Sequence, residues 1–325
     1  MIQINLSSSQ KQKIESLHYN AIYNNLGKKK SLNKTIEDTF DIKYTVKDFL
    51  IGNANKLKEI LADYRNLSEE KQEEFKSAFD PYFLNQYKNK LAVTPKKTED
   101  IYTYQNEKYN AYTLCEMLDI NICPYCNKNA IVTIADSDND IFTRPTLDHF
   151  LDKATYPFFA LSLYNLIPSC HICNSHIKGS IPFEIDTHIH PYFDDFNKIK
   201  EFGVDNILLS LVHKESDFKI VFKDKKNISS SAKIKADNHI KDFGLETLYA
   251  SHKDKVLELV DFSRAYNEDA FENLVNTFKG STEIFKDTND VKRLLLGHHV
   301  ENENIDKRPL NKLVKDISEQ LGLLR

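Results

Sequence analysis

Apolar residues recur at three- and four-residue steps over roughly the first ninety residues of the chain. This spacing places them on one face of a helix, so the pattern predicts helices throughout this part. The first helix is marked by Ile14, Leu17 and Ala21, and it is expected to end near Gly27, which precedes a run of lysines. A second helix is marked by the apolar residues Leu57, Ile60, Leu61 and Tyr64.

A third helix is predicted to begin at Ser68. Its hydroxyl can cap the free backbone N–H groups of the first turn, where Glu69 and Glu70 also complement the helix dipole. The dipeptide Asp80-Pro81 should end or bend this helix, because a proline restricts the residue before it. The stretch 94–98, with a proline and two lysines, is predicted to be a linker.

The pattern changes after about residue 121. Residues 130–135 have strand propensity, and the polar stretch 136–140 predicts a turn. Residues 146–151 are expected to lie at the end of a strand, and residues 164–168 to return beside it. A short helix is expected over residues 174–179, after the last cysteine.

Beyond residue 191, two apolar stretches at 206–213 and 218–222 predict a pair of strands. Helical spacing returns at about Ile234 and continues to Ile317. The sequence therefore predicts an α+β fold that is mostly α-helical.

Three consecutive regions are expected along the chain. Residues 1–115 form an N-terminal helical region, and residues 116–192 form a central segment with the strands and four of the cysteines. Residues 193–325 form a mainly helical region with a short β-hairpin.

Charge limits how the chain could bind nucleic acid. Its 325 residues include 44 basic and 48 acidic ones, a net charge of −4. This balance argues against binding nucleic acid by bulk charge, which needs clustered lysine and arginine. The first residues do not have the pattern of a signal peptide, and no apolar run reaches the roughly 18 residues of a membrane helix. A cytoplasmic protein is expected.

Four of the five cysteines form two Cys-x-x-Cys pairs, Cys123 with Cys126 and Cys170 with Cys173. Two such pairs can supply four thiolates to a tetrahedral, structural zinc ion, and the alternative is a coincidence of buried cysteines. The long interval between the pairs requires an inserted substructure. Cys115 is left over and is predicted to be a buried thiol on a helix.

Inside that interval lies the dipeptide Asp148-His149. On a strand, neighbouring side chains point to opposite faces, so the carboxylate could bind a divalent ion while the neutral imidazole deprotonates water. Asn165 could accept a hydrogen bond from the imidazole and orient it. Asn174 and His176 follow the last cysteine as further ligand candidates. Each of these residues alone has an ordinary structural explanation.

Together, these motifs resemble the HNH endonuclease family. The resemblance covers residues 122–179, from Cys-Pro-Tyr-Cys through Leu-Asp-His-Phe-Leu-Asp-Lys and Asn-Leu-Ile-Pro-Ser-Cys to Lys-Gly, with 189–192 as a familiar continuation. It implies a ββα-metal finger supported by a four-cysteine zinc knuckle. His149 would be the general base, Asp148 a ligand of Mg²⁺ or Mn²⁺, and Asn165 the residue that orients the base and ties the hairpin.

The third position of the motif departs from the commonest pattern. Histidine often follows the last cysteine, and here the residue is Asn174, as in the finger of RNA-guided CRISPR effectors. His176 is the alternative metal ligand, and the spacing to Lys178 is one residue longer than usual. The resemblance implies that Lys178, or Arg144 and Lys153, would contact the flanking phosphates.

The C-terminal region resembles the tail of bacterial HNH proteins that are encoded beside an ATPase, such as Septu-type systems and some retrons. The function expected from both resemblances is a metal-dependent DNA endonuclease that serves as an anti-phage effector with an ATPase partner. Two alternatives remain open. One is an RNA nuclease, for instance one that cuts tRNA. The other is a non-catalytic zinc-binding recognition or scaffold subunit, for which Asn174 is the support.

Overall fold

The computed structural model describes residues 1–95, 101–205, 218–266, 268–279 and 285–324. The fold is mixed α+β and mostly helical, with small antiparallel sheets, as predicted. It contains two compact units. The first unit comprises Ile4–Ile120 and Ile131–Phe193, and the second comprises Met1–Gln3, Asn121–Ala130 and Asp194–Arg325. None of the helices in the described ranges is both long and apolar enough to cross a membrane.

The first unit begins with a series of helices, which includes the three that the sequence predicted. Their bounds are α1 Ser8–Asn25, α2 Lys29–Phe40, α3 Val46–Ile51, α4 Ala54–Arg65, α5 Glu69–Phe79 and α6 Tyr82–Gln86, followed by a π-helix at Tyr87–Leu91 and later by α7 Ala111–Leu118. The predicted cap is confirmed, because the Ser68 side chain accepts a hydrogen bond from the backbone N–H of Lys71. Helix α5 ends just before Asp80-Pro81, as expected. Most of the predicted linker at 94–98 lies outside the described residues.

An aromatic core fixes the turn that lies directly before Ala160, whose carbonyl is part of the candidate site. Phe49 of α3 and Phe75 of α5 are buried and pack on Phe158 and Phe159. These two rings belong to a short 3₁₀ turn, Pro157–Phe159. Each buried aromatic side chain removes a large apolar area from water, so this turn is held firmly against the helices.

Three hairpins also belong to this unit. Strands β1 (Tyr102–Tyr104) and β2 (Glu107–Tyr109) form the first, and β3 (Ile134–Asp136) and β4 (Ile141–Thr143) form the second. The predicted turn between β3 and β4 is confirmed, although β3 begins only at Ile134. Strands β5 (Thr146–His149) and β6 (Leu166–Ser169) form the third hairpin, at the two positions the sequence indicated.

A second π-helix, Ile172–Lys178, follows the β5–β6 hairpin and packs against β5. The order of elements over residues 146–178 is therefore two antiparallel strands and a helix. The predicted short helix is present, but it begins at Ile172, before the last cysteine, and has a wider turn than an α-helix.

Among its described residues, the second unit contains one hairpin, β7 (Lys200–Val204) with β8 (Ile220–Asp224). The predicted strand at 206–213 lies outside the described residues. The helices are α8 Ser230–Asp242, α9 Leu245–Tyr249, α10 Lys253–Ala265, α11 Glu268–Lys279, α12 Thr288–Leu296 and α13 Asn311–Gln320. The expected return of helices after Ile234 is confirmed, with α8 starting four residues earlier.

A buried ion pair joins α13 to β7 in this second unit. Lys312 Nζ lies 2.7 Å from Asp316 Oδ2 and also donates to the Lys200 carbonyl at 2.9 Å. The Asp316 carboxylate accepts from the Phe202 backbone N–H at 2.8 Å. Because both charges have partners on the neighbouring strand, the pair fixes helix and strand together.

Candidate functional site

The four paired cysteines lie together. The sulfur atoms of Cys123, Cys126, Cys170 and Cys173 are all within 4.8 Å of one another, and all four residues are buried. A tetrahedral zinc site with bonds of roughly 2.3 Å needs four sulfurs at about this separation. Thiolates are the donors that zinc prefers in structural sites, so the donor set fits that ion. The cluster is the arrangement that the two Cys-x-x-Cys pairs predicted.

Backbone hydrogen bonds shape each pair into a tight turn. The Cys123 N–H donates to the Asn129 carbonyl at 3.0 Å, and the Tyr249 hydroxyl donates to the Cys126 carbonyl at 2.7 Å. In the other pair, the Cys173 N–H donates to the Cys170 sulfur at 3.4 Å. Cys115 is buried on α7, outside this cluster, as predicted. Burial raises the pKa of its thiol to about 12.

Asp148 and His149 lie on the buried β5–β6 hairpin. Asp148 pairs with Ile167 and His149 with Leu166 across the two strands. Both residues are about 95% buried, with 4% and 5% of their surface exposed. A carboxylate and an imidazole are rarely buried side by side unless other groups compensate them. Their contacts therefore decide what this site can do.

The His149 imidazole is held in one tautomer. Its Nε2 lies 3.0 Å from the Ala160 carbonyl oxygen, which can only accept, so Nε2 carries the proton. Nδ1 is then a lone-pair nitrogen, and within the described residues it is buried without a hydrogen-bond partner. Burial, with Lys153 and Lys178 nearby, lowers the pKa of His149 to about 3. The ring is thus neutral at pH 7, with Nδ1 able to accept a proton.

Lys178 neutralises Asp148. Its Nζ lies 2.8 Å from Asp148 Oδ1 and 2.7 Å from the His149 carbonyl oxygen. The lysine is 4% exposed, so this is a buried ion pair. The resemblance assigned Lys178 to the phosphates of the substrate, whereas here its ammonium is bound to β5.

The π-helix explains how Lys178 reaches Asp148 despite the longer spacing. The Gly179 N–H donates to the Asn174 carbonyl at 3.0 Å, a bond between residues five apart. A π-helical turn contains more residues than an α-helical turn. The additional residue between Asn174 and Lys178 is absorbed by the wider turn, and Lys178 remains on the side of the helix that faces the hairpin.

Asn165 ties the two ends of the β5–β6 connection. Its Oδ1 accepts from the Leu151 N–H at 2.7 Å, and its Nδ2 donates to the carbonyls of Leu151 and Phe159 at 3.0 and 3.1 Å. The sequence suggested that Asn165 bonds the imidazole of His149 directly. In the structure, the Ala160 carbonyl has that position, and Asn165 fixes the turn immediately before it.

The two candidates for the third metal ligand differ in position. Asn174 is partly exposed in the first turn of the second π-helix. His176 is exposed, and its ring packs against the ring of His171 with centroids 5.0 Å apart. The carboxylate of Asp148 and the amide of Asn174 are the kinds of donor that Mg²⁺ and Mn²⁺ accept. In the structure, Oδ1 of Asp148 is bound by the ammonium of Lys178.

The other basic candidates also have defined places. Arg144 donates to the carbonyls of Pro145 and Ala92, at 2.8 and 3.2 Å, so its guanidinium supports the backbone. Lys153 is half-buried, and its pKa is lowered, mainly by burial. It is therefore the partly exposed cation near His149.

One neighbour of His149 was not predicted. The ring of Tyr87, at the start of the first π-helix, lies edge-on to the imidazole with centroids 4.6 Å apart and an interplanar angle of 71°. Nothing in the sequence marks this tyrosine, because the contact joins residues far apart in the chain. A helical pattern identifies a buried face without saying which residue it meets.

Comparison with known proteins finds no matching family model and no matching solved structure. A stretch of 74 residues is 38% identical to Protein ea31 of Escherichia phage lambda. The similarity covers 22% of this chain and 21% of that protein, so the chain spans about a fifth of its relative's length.

Proposed function

We propose that this chain is a metal-dependent endonuclease of the HNH type that hydrolyses phosphodiester bonds of DNA. The observation that carries the proposal is the His149 ring, with Nε2 bound to the Ala160 carbonyl and Nδ1 left as a neutral base beside Asp148. His18, another buried histidine of the same unit, uses both of its ring nitrogens in hydrogen bonds. The resemblance of residues 122–179 to the HNH family supports the same assignment.

In this proposal Nδ1 of His149 takes a proton from the attacking water. A positioned general base contributes roughly 10²–10⁴-fold to such a rate. The low pKa of His149 belongs to the site without substrate. A scissile phosphate near the ring would raise it toward its ordinary value, because a negative charge stabilises the imidazolium.

Asp148 would hold a Mg²⁺ or Mn²⁺ ion, with Asn174, or alternatively His176, as a second ligand. Such an ion, when bound, offsets negative charge on the phosphate. The Lys178 ammonium would move away from Oδ1 while keeping its bond to the His149 carbonyl. Lys153 would contact a flanking phosphate.

The four cysteines would hold a structural zinc ion. Cys170 precedes the second π-helix and Cys173 lies in its first turn, so the ion would fix the start of the helix that carries Asn174 and Lys178. Elemental analysis of the purified chain should find one zinc per molecule. Substitution Cys173→Ser should remove the zinc and lower the melting temperature, whereas Cys115→Ser should leave the zinc in place.

A role in anti-phage defence with an ATPase partner rests on the resemblance of the C-terminal region. The substrate could also be RNA, and cleavage assays should therefore include tRNA beside plasmid DNA. A non-catalytic zinc-binding subunit is the second candidate. The buried ion pair of Lys178 with Asp148 favours it, because a finger that never binds a second metal needs another cation to balance this buried carboxylate.

The decisive experiment compares plasmid cleavage by the wild-type chain, His149→Ala and His18→Ala, with Mg²⁺ or Mn²⁺ and with EDTA. His18 is a matched control, since it is also buried and bonds a backbone carbonyl through Nε2. We expect EDTA and His149→Ala to reduce cleavage at least 100-fold, and folded His18→Ala to cut normally.

Cleavage that survives His149→Ala would contradict the assignment of the base. The non-catalytic candidate is favoured if the wild-type chain cuts neither DNA nor RNA, both alone and together with an ATPase encoded beside it.

A further inference from the structure

Tyr87 contacts the same strand as the candidate base, at two points. Its ring lies edge-on to the His149 imidazole with centroids 4.6 Å apart. Its hydroxyl donates to the carbonyl of Leu147, two residues before His149, at a long 3.4 Å. Tyr87 therefore packs along β5 from outside the motif that resembles the HNH family.

The same ring also meets a cation. Lys153 Nζ lies 5.5 Å from the centroid of the Tyr87 ring, within the range of a cation–π interaction. Lys153 follows His149 closely in the chain, on the connection between β5 and β6. One tyrosine thus contacts both the base and the half-buried lysine beside it.

A single hydrogen bond does not fix an imidazole. The bond from Nε2 to the Ala160 carbonyl leaves the ring free to tilt and turn about the N–H···O direction. A second contact, against the ring itself, removes this freedom. An edge-on aromatic neighbour does so with a defined geometry, worth roughly 0.5–1.5 kcal/mol beyond simple burial.

We propose that Tyr87 is a positioning residue for His149, and that it holds the imidazole with Nδ1 directed at the position of the attacking water. This inference rests on the proposed function. It makes the N-terminal helical segment part of the hydrolytic site. The hydroxyl contributes little, because its only hydrogen bond on β5 is long, so the aromatic ring is the part that matters.

The substitutions Tyr87→Phe and Tyr87→Leu separate ring from hydroxyl. Tyr87→Phe keeps the contact with the imidazole, and we expect cleavage within about twofold of the wild type. Tyr87→Leu loses the aromatic edge. A misplaced catalytic group can lower a reaction rate up to about 100-fold. We therefore expect the single-turnover cleavage rate at saturating protein to fall at least tenfold. The protein concentration that gives half of the maximal rate should change less.

Tyr82→Leu is the matched control for a general loss of stability. Tyr82 lies on α6, just before the first π-helix, and its hydroxyl accepts a hydrogen bond from the Gly27 N–H at 2.8 Å. We expect Tyr82→Leu to lower the melting temperature about as much as Tyr87→Leu does, and to leave the saturated cleavage rate unchanged.

A second measurement does not depend on cleavage. In ¹⁵N spectra of the histidine side chains, His149 should show a protonated Nε2 and a bare Nδ1 in the wild type and in Tyr87→Phe. In Tyr87→Leu the two nitrogens should move toward averaged shifts, because a ring that tilts away from the Ala160 carbonyl can exchange its proton between Nε2 and Nδ1.

The outcomes are distinct for the two proposals. If wild type and Tyr87→Leu cut equally fast at saturation, or if Tyr82→Leu loses as much rate, the role of Tyr87 is refuted. If the wild type does not cut at all, the proposed function fails, and the histidine spectra decide on Tyr87 alone. Unchanged His149 signals in Tyr87→Leu would then overturn the inference.

Discussion

Two buried histidines of the first unit, His18 and His149, donate hydrogen bonds to neighbouring carbonyls. They differ in whether the second ring nitrogen, Nδ1, has a hydrogen-bond partner. His18 on α1 bonds the Leu161 carbonyl through Nε2 at 2.8 Å, and His149 on β5 bonds the Ala160 carbonyl at 3.0 Å. Burial lowers the pKa of both, to about 4 for His18 and about 3 for His149. The Nδ1 of His18 accepts from the Tyr109 hydroxyl at 2.6 Å, whereas the Nδ1 of His149 has no such partner among the described residues.

This difference shows that burial and a depressed pKa do not by themselves identify a reactive histidine. His18 has both properties, and its two nitrogens are used to join α1 to other parts of the unit. His149 has a free nitrogen, and a carboxylate stands next to it in the chain. The assignment of a role to His149 therefore depends on the unsatisfied atom, since a native protein leaves few buried polar atoms without a partner.

The largest expected effect concerns Asp148, the carboxylate next to His149 in the chain. Lys178→Met should lower the free energy of unfolding by about 3–5 kcal/mol, because it removes the ammonium that is bound to the buried Asp148 carboxylate. Millimolar Mn²⁺ should restore part of this loss, up to about 2.7 kcal/mol at a concentration 100 times the dissociation constant. Denaturant titrations with and without Mn²⁺ measure both effects.

Lys312→Met is the control for this substitution. It also breaks a buried lysine–aspartate pair, but Asp316 is bound to the Phe202 N–H in a purely structural setting. We expect a comparable loss of stability and no recovery with Mn²⁺. Equal recovery in both variants would show that the Asp148 site has no particular affinity for divalent ions.

The next largest effect is a difference in how much the alanine substitutions of the two histidines destabilise the protein. His18→Ala leaves two buried groups without partners, the Tyr109 hydroxyl and the Leu161 carbonyl, whereas His149→Ala leaves only the Ala160 carbonyl. Since an unsatisfied buried group costs about 1–3 kcal/mol, His18→Ala should be the more destabilising by that amount. Urea titrations test this order. The reverse order would mean that His149 is the more important structural residue.

Acid should destabilise the folded protein through both buried histidines, His18 and His149. The folded-state pKa values of about 3 and about 4 lie below the unfolded value of about 6.5, so between these limits the unfolded chain binds protons that the folded chain does not. Stability is therefore unaffected above pH 6.5 and falls as the pH drops toward 4, by at most about 1.4 kcal/mol per pH unit for each histidine.

The variant His149→Asn should remove one of these two contributions. Urea titrations at pH 7.5, 6 and 5 should then give a flatter profile than the wild type. Lys153→Gln should flatten it slightly, because Lys153 is the largest electrostatic cause of the low pKa of His149 after burial. If stability depended on pH equally in His149→Asn and in the wild type, the His149 ring of the wild type would already bind a proton in the folded state.

The smallest expected effect concerns the binding of the proposed DNA substrate near His149. Lys153→Gln should weaken DNA binding only a few-fold, and it should lower the slope of affinity against salt concentration by about one unit, as the loss of one phosphate contact does. Fluorescence anisotropy with a short duplex, at several salt concentrations, measures this slope. Lys11→Gln on α1 serves as a control that should change neither quantity.

Sequence patterns predicted those parts of the fold that depend on neighbouring residues. The cap at Ser68, the end of α5 before Asp80-Pro81 and the burial of Cys115 on a helix follow from local signals, and the structure confirms them. The meeting of the four cysteines could also be predicted, because four thiols in two short pairs have a preferred common geometry.

Contacts between distant residues could not be predicted in this way. The Ala160 carbonyl carries no sequence signal, since every residue has a carbonyl, and its place depends on the aromatic core below Phe158 and Phe159. The contact of Tyr87 with His149 and the pairing of Lys178 with Asp148 also depend on how separate elements pack. The roles of Asp148, Asn174 and His176 toward a catalytic metal stay predictions.

The second π-helix has a consequence for how such chains are recognised. Its wide turn lets the segment carry one more residue than the usual interval, while Lys178 still reaches Asp148. A pattern that counts residues between the last cysteine and the lysine treats this chain as out of register. A pattern that counts helical turns would place the lysine on the side of the helix that faces β5, where it bonds Asp148.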